Sequence, residues 1–220
     1  LLRSVAYGII EGVTEWLPIS STGHMILAEQ VLKFSFSAEF MEMFRVVIQL
    51  GAILAVVVLY FKKLWPFCAD NGRDSGFSRH FRWPVVRLWC KIIVACVPAA
   101  VLGLLLDDWL DAHLYNSITV ALMLIIYGIA FILIERRPRV PTTTKLSRIT
   151  YKQALIVGAW QVLALIPGTS RSGSTIIGGL LCGMSRPAAS QFTFFLAIPV
   201  MAGASGLKLV KFLAKGGVFT

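Results

Sequence analysis

Charge is what this chain has least of. Only 15% of its 220 residues are charged, Asp and Glu together number 11, and there are three histidines and four cysteines. Hydrophobic residues reach 57% and the mean hydropathy is +0.76. So small a polar complement cannot clothe a soluble domain, and the composition is that of a polytopic membrane protein. Cys68, Cys90, Cys96 and Cys182 have no metal-ligand spacing and lie mostly in apolar runs. That excludes a zinc or redox motif and leaves small core residues. No positively charged leader with a small-residue cleavage site precedes the first apolar run, and the first residue is Leu1. The expectation is that a few residues precede it, rather than that a signal peptide was removed. The net charge of +10 does not imply a nucleic-acid partner, because Lys and Arg gather in two loops beside apolar spans, where the positive-inside bias accounts for them.

A helix needs about 20 apolar residues to cross the hydrocarbon core, and four stretches qualify: 44–61, 85–106, 117–134 and 191–207. Two others do not. Residues 4–17 with 22–34, and 151–166 with 172–184, are pairs of short legs, each broken by a proline followed by Ser, Thr and Gly. Each pair predicts a re-entrant hairpin with its tip buried in protein or in a watery cavity, since irregular backbone cannot face lipid. The two hairpins read as copies: Pro18 leads to Ser21-Thr22-Gly23 and then to Phe44, and Pro167 leads to Ser170-Arg171-Ser172-Gly173 and then to Phe192. The predicted fold is all-α, one integral membrane domain over 1–220. It comprises a first repeat core (1–61), two spans (85–134) and a second repeat core (151–207).

Loop charge supplies orientation. Lys62, Lys63, Arg73, Arg79 and Arg82 follow the first span, and Arg136, Arg137, Arg139, Lys145, Arg148 and Lys152 follow the third, so both loops are expected in the cytoplasm. The connection Asp107–His113 carries three Asp and neither Lys nor Arg, and is expected as an outer loop. The first hairpin then enters from outside and the second from inside, making the repeats inverted. Lys208, Lys211 and Lys215 would lie outside, against the bias. Trp65, Trp83 and Trp109 fall at span ends, as interfacial indoles do.

The polar content concentrates at the two breaks. Glu11 and Glu15 are spaced i, i+4 and share a helical face on which they can hold a cation. Pro18 stops that helix, and Ser20, Ser21 and Thr22 are types that open the next, which presents free N–H groups and His24. The bland alternative is an interfacial amphipathic helix with solvated glutamates. At the second break, Gly168 to Thr175 combines a glycine turn, hydroxyls, a helix N-terminus and Arg171, which together form an anion cradle. Arg171 suits a phosphate; a structural salt bridge to Glu11 or Glu15 is the alternative. One tip with carboxylates and one with Arg and hydroxyls make an inventory for a divalent cation and a phosphate chain. The hairpin tips are therefore expected to touch.

Glu11-Gly-x-Thr-Glu15-x-Leu-Pro18-x-Ser20-Ser21-Thr22-Gly23-His24 and Pro167-Gly168-x-Ser170-Arg171-Ser172-Gly173-x-Thr175 resemble the two motifs of the undecaprenyl-diphosphatases, also called bacitracin-resistance proteins. Similarity continues through Gln49-Leu-Gly51-Ala, Pro98-Ala-Ala-Val-Leu-Gly103 and Ser185-Arg186-x-Ala-Ala-Ser190-x-Phe192. The resemblance implies an enzyme of the bacterial plasma (inner) membrane that hydrolyses undecaprenyl diphosphate to the monophosphate and inorganic phosphate. It implies a divalent cation, Mg2+ or Ca2+. Polyprenyl diphosphate and membrane lipids are the implied partners, with a homodimer a further expectation and more apolar helices expected beyond Thr220.

On this reading Glu11 and Glu15 are the metal ligands, and Glu11, Glu15, Ser21, His24 and Arg171 the catalytic set. Ser20, Thr22, Ser170, Ser172, Gly173 and Thr175 bind substrate. Ser21 and His24 lie i, i+3, so His24 can activate Ser21 for covalent attack; a carboxylate or His24 can equally activate water. The rival class is an inverted-repeat transporter or flippase for an anionic lipid or phosphate-bearing substrate.

Overall fold

The computed structural model describes residues 2–32, 36–68, 80–114, 116–136, 140–214 and 216. The expectations placed on Phe34, Arg73, Arg79, Arg137, Arg139 and Lys215 lie outside these residues, as do the side chains of Asp107, Asp108 and Asp111. Among the described residues there are nine α-helices: α1 (Leu2–Thr14), α2 (Ser21–Leu32), α3 (Ala38–Leu59), α4 (Phe61–Leu64), α5 (Trp83–Leu114), α6 (Ser117–Glu135), α7 (Tyr151–Gln161), α8 (Arg171–Leu181) and α9 (Arg186–Ala214). Four contain segments long and apolar enough to span a bilayer: Glu39–Leu59 in α3, Trp83–Leu106 in α5, Ile118–Glu135 in α6 and Arg186–Ala214 in α9. The chain is an all-α polytopic membrane protein.

Sequence chemistry explains where helices begin. The Ser37 hydroxyl accepts from the Phe40 N–H at the start of α3, and Asn116 accepts from the Thr119 N–H at 2.9 Å at the start of α6. Thr150 and Gln153 form a reciprocal capping box at α7. Where the sequence lacks a stop, a helix runs on. The stretch Asp107–His113, expected as a loop, is the last part of α5, because no Pro or Gly interrupts it before Leu114. His113 accordingly stacks on Trp109 one turn back rather than standing in a loop. Pro98 and Pro199 lie inside α5 and α9, as neighbouring helices permit in membrane proteins. Trp65, Trp83 and Trp109 are exposed near helix ends. Of the cysteines read as core residues, Cys90 is exposed; none is in a disulfide.

The main core joins α3, α5, α7 and α9, with Val56, Ile92, Val157, Phe192, Phe195 and Leu196 at its centre. The spans α3 and α9 run antiparallel. Lys208 at the end of α9 meets Glu42 at the start of α3 at 2.6 Å, the Ser205 hydroxyl donates to the Val46 carbonyl at 3.0 Å, and Tyr60 packs edge-on against Phe195. The Glu42 partner explains how Lys208 sits at that end against the charge bias.

The hairpins approach this pair from opposite ends. In the first, the Tyr7 hydroxyl donates to Glu29 at 2.5 Å and Arg45 grips both Glu29 oxygens at 2.8 Å, tying the open end of α1 and α2 to the start of α3. In the second, the open end of α7 and α8 is held by Gln153, which donates to the Thr143 hydroxyl and the Cys182 carbonyl. Nearby, Lys91 near the start of α5 donates to the Ser147 carbonyl. That start adjoins the short helix α4 that follows α3, since the Trp89 indole donates to the Leu64 carbonyl at 2.9 Å. Lys62, Lys63, Arg82, Arg87, Lys145 and Arg148 therefore share the end from which the second hairpin enters. Helix α7 lies so close to α5 that a Cβ on Gly158 would stand 2.3 Å from the Ala95 carbonyl oxygen.

Candidate active site

The two tips use one device 150 residues apart. Ser20 accepts from the Gly23 N–H at 3.3 Å to cap α2, and Ser170 accepts from the Gly173 N–H at 3.0 Å to cap α8. The reversal before each cap needs a residue with positive φ. In the first tip this is Ser20 itself (φ 65°), and in the second it is Gly168 (φ 86°). Gly168 also lies against α6, where a Cβ would stand 2.6 Å from the Val120 Cα, so only glycine fits.

The tips touch. Arg171 at the start of α8 forms an ion pair with Glu15 just past the end of α1, and the Ser172 hydroxyl reaches the Leu17 carbonyl at 3.4 Å. Side chains of the pair are 11% and 8% exposed. The alternative reading of Arg171, a salt bridge to a glutamate, is thus present in the structure. It does not exhaust the guanidinium: only Nη2 is engaged, and Nε and Nη1 are buried with no hydrogen-bond partner. Glu15 is shared in turn, because its second oxygen accepts from the Ser21 hydroxyl at 2.6 Å.

Beside the tips lies a cavity of about 510 Å³. Its polar wall carries Glu15, Ser20, Ser21, Thr22, Ser170, Arg171 and Ser172, all expected from sequence. The rest of its lining is mostly apolar, with Ala99, Ala100 and Gly103 of α5 facing Gly203 and Ala204 of α9 and larger side chains such as Val46, Met201 and Leu207 beside them. From the tips it runs along the later part of α5 and α9 to Lys208, toward the end opposite the basic loops.

Four expected residues do not line this cavity. The Thr175 hydroxyl donates to the Arg171 carbonyl of its own helix at 2.9 Å and accepts from Thr193 at 3.0 Å, so it braces α8 against α9. Gly173 backs onto Ser170 and Phe131, where a Cβ would stand 3.0 Å from each. His24 turns its Nδ1 to the Ser20 carbonyl at 2.8 Å and not to Ser21, despite the i, i+3 spacing. The hydroxyl of Ser21 is nearer a carboxylate than an imidazole because the tip folds back toward Glu15. Glu11, 1% exposed, lies behind the polar wall beside Ser21 and Glu15, without a well-formed hydrogen bond to either carboxylate oxygen.

Thr14, Gln49 and Gln161 line the cavity without having been singled out in the sequence, and Thr169 lies in the expected anion cradle without having been assigned a contact. Gln49 stands inside an apolar span, where a polar side chain at membrane depth is itself a functional signal. Thr14 and Gln161 are uncharged and sit in short helices, where an isolated polar residue gave no such sign. The buried donors of Arg171, Thr169 and Gln161 that lack a hydrogen-bond partner suit a ligand with many oxygens, and the Glu11 carboxylate beside them is of a type that can hold a cation. No group of three or more His, Cys, Asp or Glu gathers among the described residues. Protein carboxylates here number two, the number with which Mg2+ is commonly held when a substrate's phosphates complete its shell.

An undecaprenyl-diphosphatase of Enterococcus faecalis is 60% identical over 221 residues, covering 100% of this chain and 78% of the relative. One from Streptococcus thermophilus is 54% identical, covering 100% and 75%, and one from Lactococcus lactis subsp. cremoris is 55% identical, covering 98% and 77%. The family model described as bacitracin resistance protein BacA matches residues 4–219, so the chain belongs to the bacitracin resistance protein BacA family.

Proposed function

We propose that this membrane protein hydrolyses undecaprenyl diphosphate to undecaprenyl phosphate and inorganic phosphate. The observation that carries the reading is the Glu15–Arg171 contact between the tips, with unsatisfied guanidinium N–H groups beside an apolar-walled cavity. A lipid diphosphate has the matching parts: oxygens for the polar wall and isoprene units for the apolar one. The basic loops belong on the cytoplasmic side of the bacterial plasma membrane. The cavity, which extends away from them, opens to the outer face.

Arg171 keeps Nη2 on Glu15 and offers Nε and Nη1 to the terminal phosphoryl oxygens, joined by the hydroxyls of Ser170, Ser172 and Thr22 and by free N–H groups at the start of α8. Ser21 Oγ attacks the terminal phosphorus while Glu15 takes its proton across the 2.6 Å hydrogen bond. The P–O bond to the bridging oxygen breaks, and lipid monophosphate leaves. The leaving lipid monophosphate carries off the proton from Glu15. Glu15 then takes a proton from the water that attacks phosphorus, the Ser21 Oγ–P bond breaks, and that proton passes to Ser21 Oγ as inorganic phosphate is released. His24, held on the Ser20 carbonyl, keeps the tip in shape. Glu11 and Glu15 would hold the divalent cation, and the Glu11 oxygens, without a well-formed hydrogen bond, fit that role. Such an ion would neutralise charge developing on the diphosphate.

The test is phosphate release by purified protein in detergent, with a panel of lipid diphosphates, with and without chelator. Chelator-sensitive release without any membrane gradient is the expected result. No release from any lipid diphosphate would sink the reading and leave a transporter as the better one.

A further inference from the structure

Gln161 is the last residue of α7, where the helix tightens into the 3-10 turn Val162–Leu165 that leads to the second tip. Its side chain is 2% exposed, lines the cavity, and has no hydrogen-bond partner for either the amide nitrogen or the amide oxygen. A buried primary amide with both ends unsatisfied is costly in a packed protein. The other buried glutamine of this hairpin, Gln153, shows the ordinary outcome: its amide is bonded to Thr143, Cys182 and Thr150. Orphan donors also line the same cavity, namely Thr169 Oγ1 and the Nε and Nη1 of Arg171.

We propose that Gln161 is a further substrate-binding residue, whose amide N–H groups donate to a phosphoryl oxygen of the diphosphate alongside Thr169 and Arg171. The inference rests on the diphosphatase reading and adds to it a neutral contact from the opposite leg of the hairpin. A neutral donor suits this place. It holds an oxygen without adding a charge that would anchor the released phosphate. The amide oxygen is left to accept from a protonated phosphate oxygen or from the water that attacks next, as a glutamine can orient water in phosphoryl transfer.

The experiment compares wild type, Gln161→Leu, Gln161→Glu and Arg171→Ala in detergent. Each is read by kcat/KM for undecaprenyl diphosphate and by the rise in thermal midpoint on adding inorganic pyrophosphate. Gln161→Leu removes an unsatisfied amide, so its midpoint without ligand should equal or exceed wild type. Its kcat/KM should fall roughly ten- to a hundredfold, the weight of a hydrogen bond to a charged acceptor, and its pyrophosphate shift should shrink. Gln161→Glu keeps the shape but sets a negative charge beside phosphate, and should lose at least as much. Wild-type kcat/KM with a full pyrophosphate shift in either variant would overturn the proposal. So would a loss of activity that merely follows a lowered midpoint while the shift persists. If wild type itself releases no phosphate and shows no shift, the diphosphatase reading fails and takes this inference with it. A normal wild type with an impaired Arg171→Ala isolates the contribution of Gln161.

Discussion

Replacing Arg171 by glutamine strands Glu15 in the cavity wall, and the consequence can be worked from the geometry. The two side chains are 11% and 8% exposed and meet across 156 residues of sequence. Removing one partner of a buried pair costs about 3–5 kcal/mol, because the other charge stays desolvated. Here Glu15 keeps the Ser21 hydroxyl at 2.6 Å, which lowers the expected cost to roughly 2–3 kcal/mol. Glu15→Gln leaves the guanidinium unpaired and should cost about 2 kcal/mol. The double variant buries two neutral amides that can bond each other, so it should lie within about 1 kcal/mol of wild type, giving a coupling of roughly 3 kcal/mol. The assay is unfolding in mixed micelles titrated with denaturing detergent, run on all four proteins. Turnover must behave differently: each single variant should lose on the order of a hundredfold or more in rate, and the double should not recover it. Stability losses that simply add, within about 0.5 kcal/mol, would refute the claim that this pair holds the tips together.

Ser21→Ala should be nearly silent on a Glu15→Gln background yet additive with His24→Ala, since Ser21 bonds Glu15 and His24 does not reach it; kcat/KM for the four-member cycles decides, and the opposite pattern would restore a Ser21–His24 unit. Glu11→Gln should raise the divalent-cation concentration needed for half-maximal phosphate release by at least about tenfold, and an unchanged cation titration would remove Glu11 from the metal site. Gly158→Ala should destabilise by about 1–3 kcal/mol or prevent folding, because its Cβ would meet the Ala95 backbone at 2.3 Å. Gly206→Ala, with nothing within 4 Å of its Cβ, should leave the thermal midpoint within a degree or two.

Much of this molecule is dictated locally, and that part was legible from the chain. A span declares itself by apolar length alone, so all four were located, and Pro18 and Pro167 with their serines and glycines marked the two breaks. The break chemistry is local too, since a serine three residues before a glycine suffices to cap each short helix. Helix ends were less legible. The extension of α5 through Asp107–His113 depends on the absence of a stop signal, and hydropathy shows only where a membrane ends, not where a helix does.

What the sequence by itself determined is the set of segments, their apolar faces and the concentration of polar groups at two interruptions. Only the tertiary structure decided which of those groups meet. Spacing offered His24 to Ser21, but the fold of the tip gave Ser21 to Glu15. It turned Thr175 inward to Thr193 although its neighbours Arg171 and Ser172 face the cavity. It left Gln161 buried and unpartnered while satisfying Gln153 one helix length away. Such pairings depend on how the two hairpins dock against α3, α5 and α9. A distance of 150 residues carries no periodic signal, and a buried polar atom reveals its missing partner only when its surroundings are packed in space.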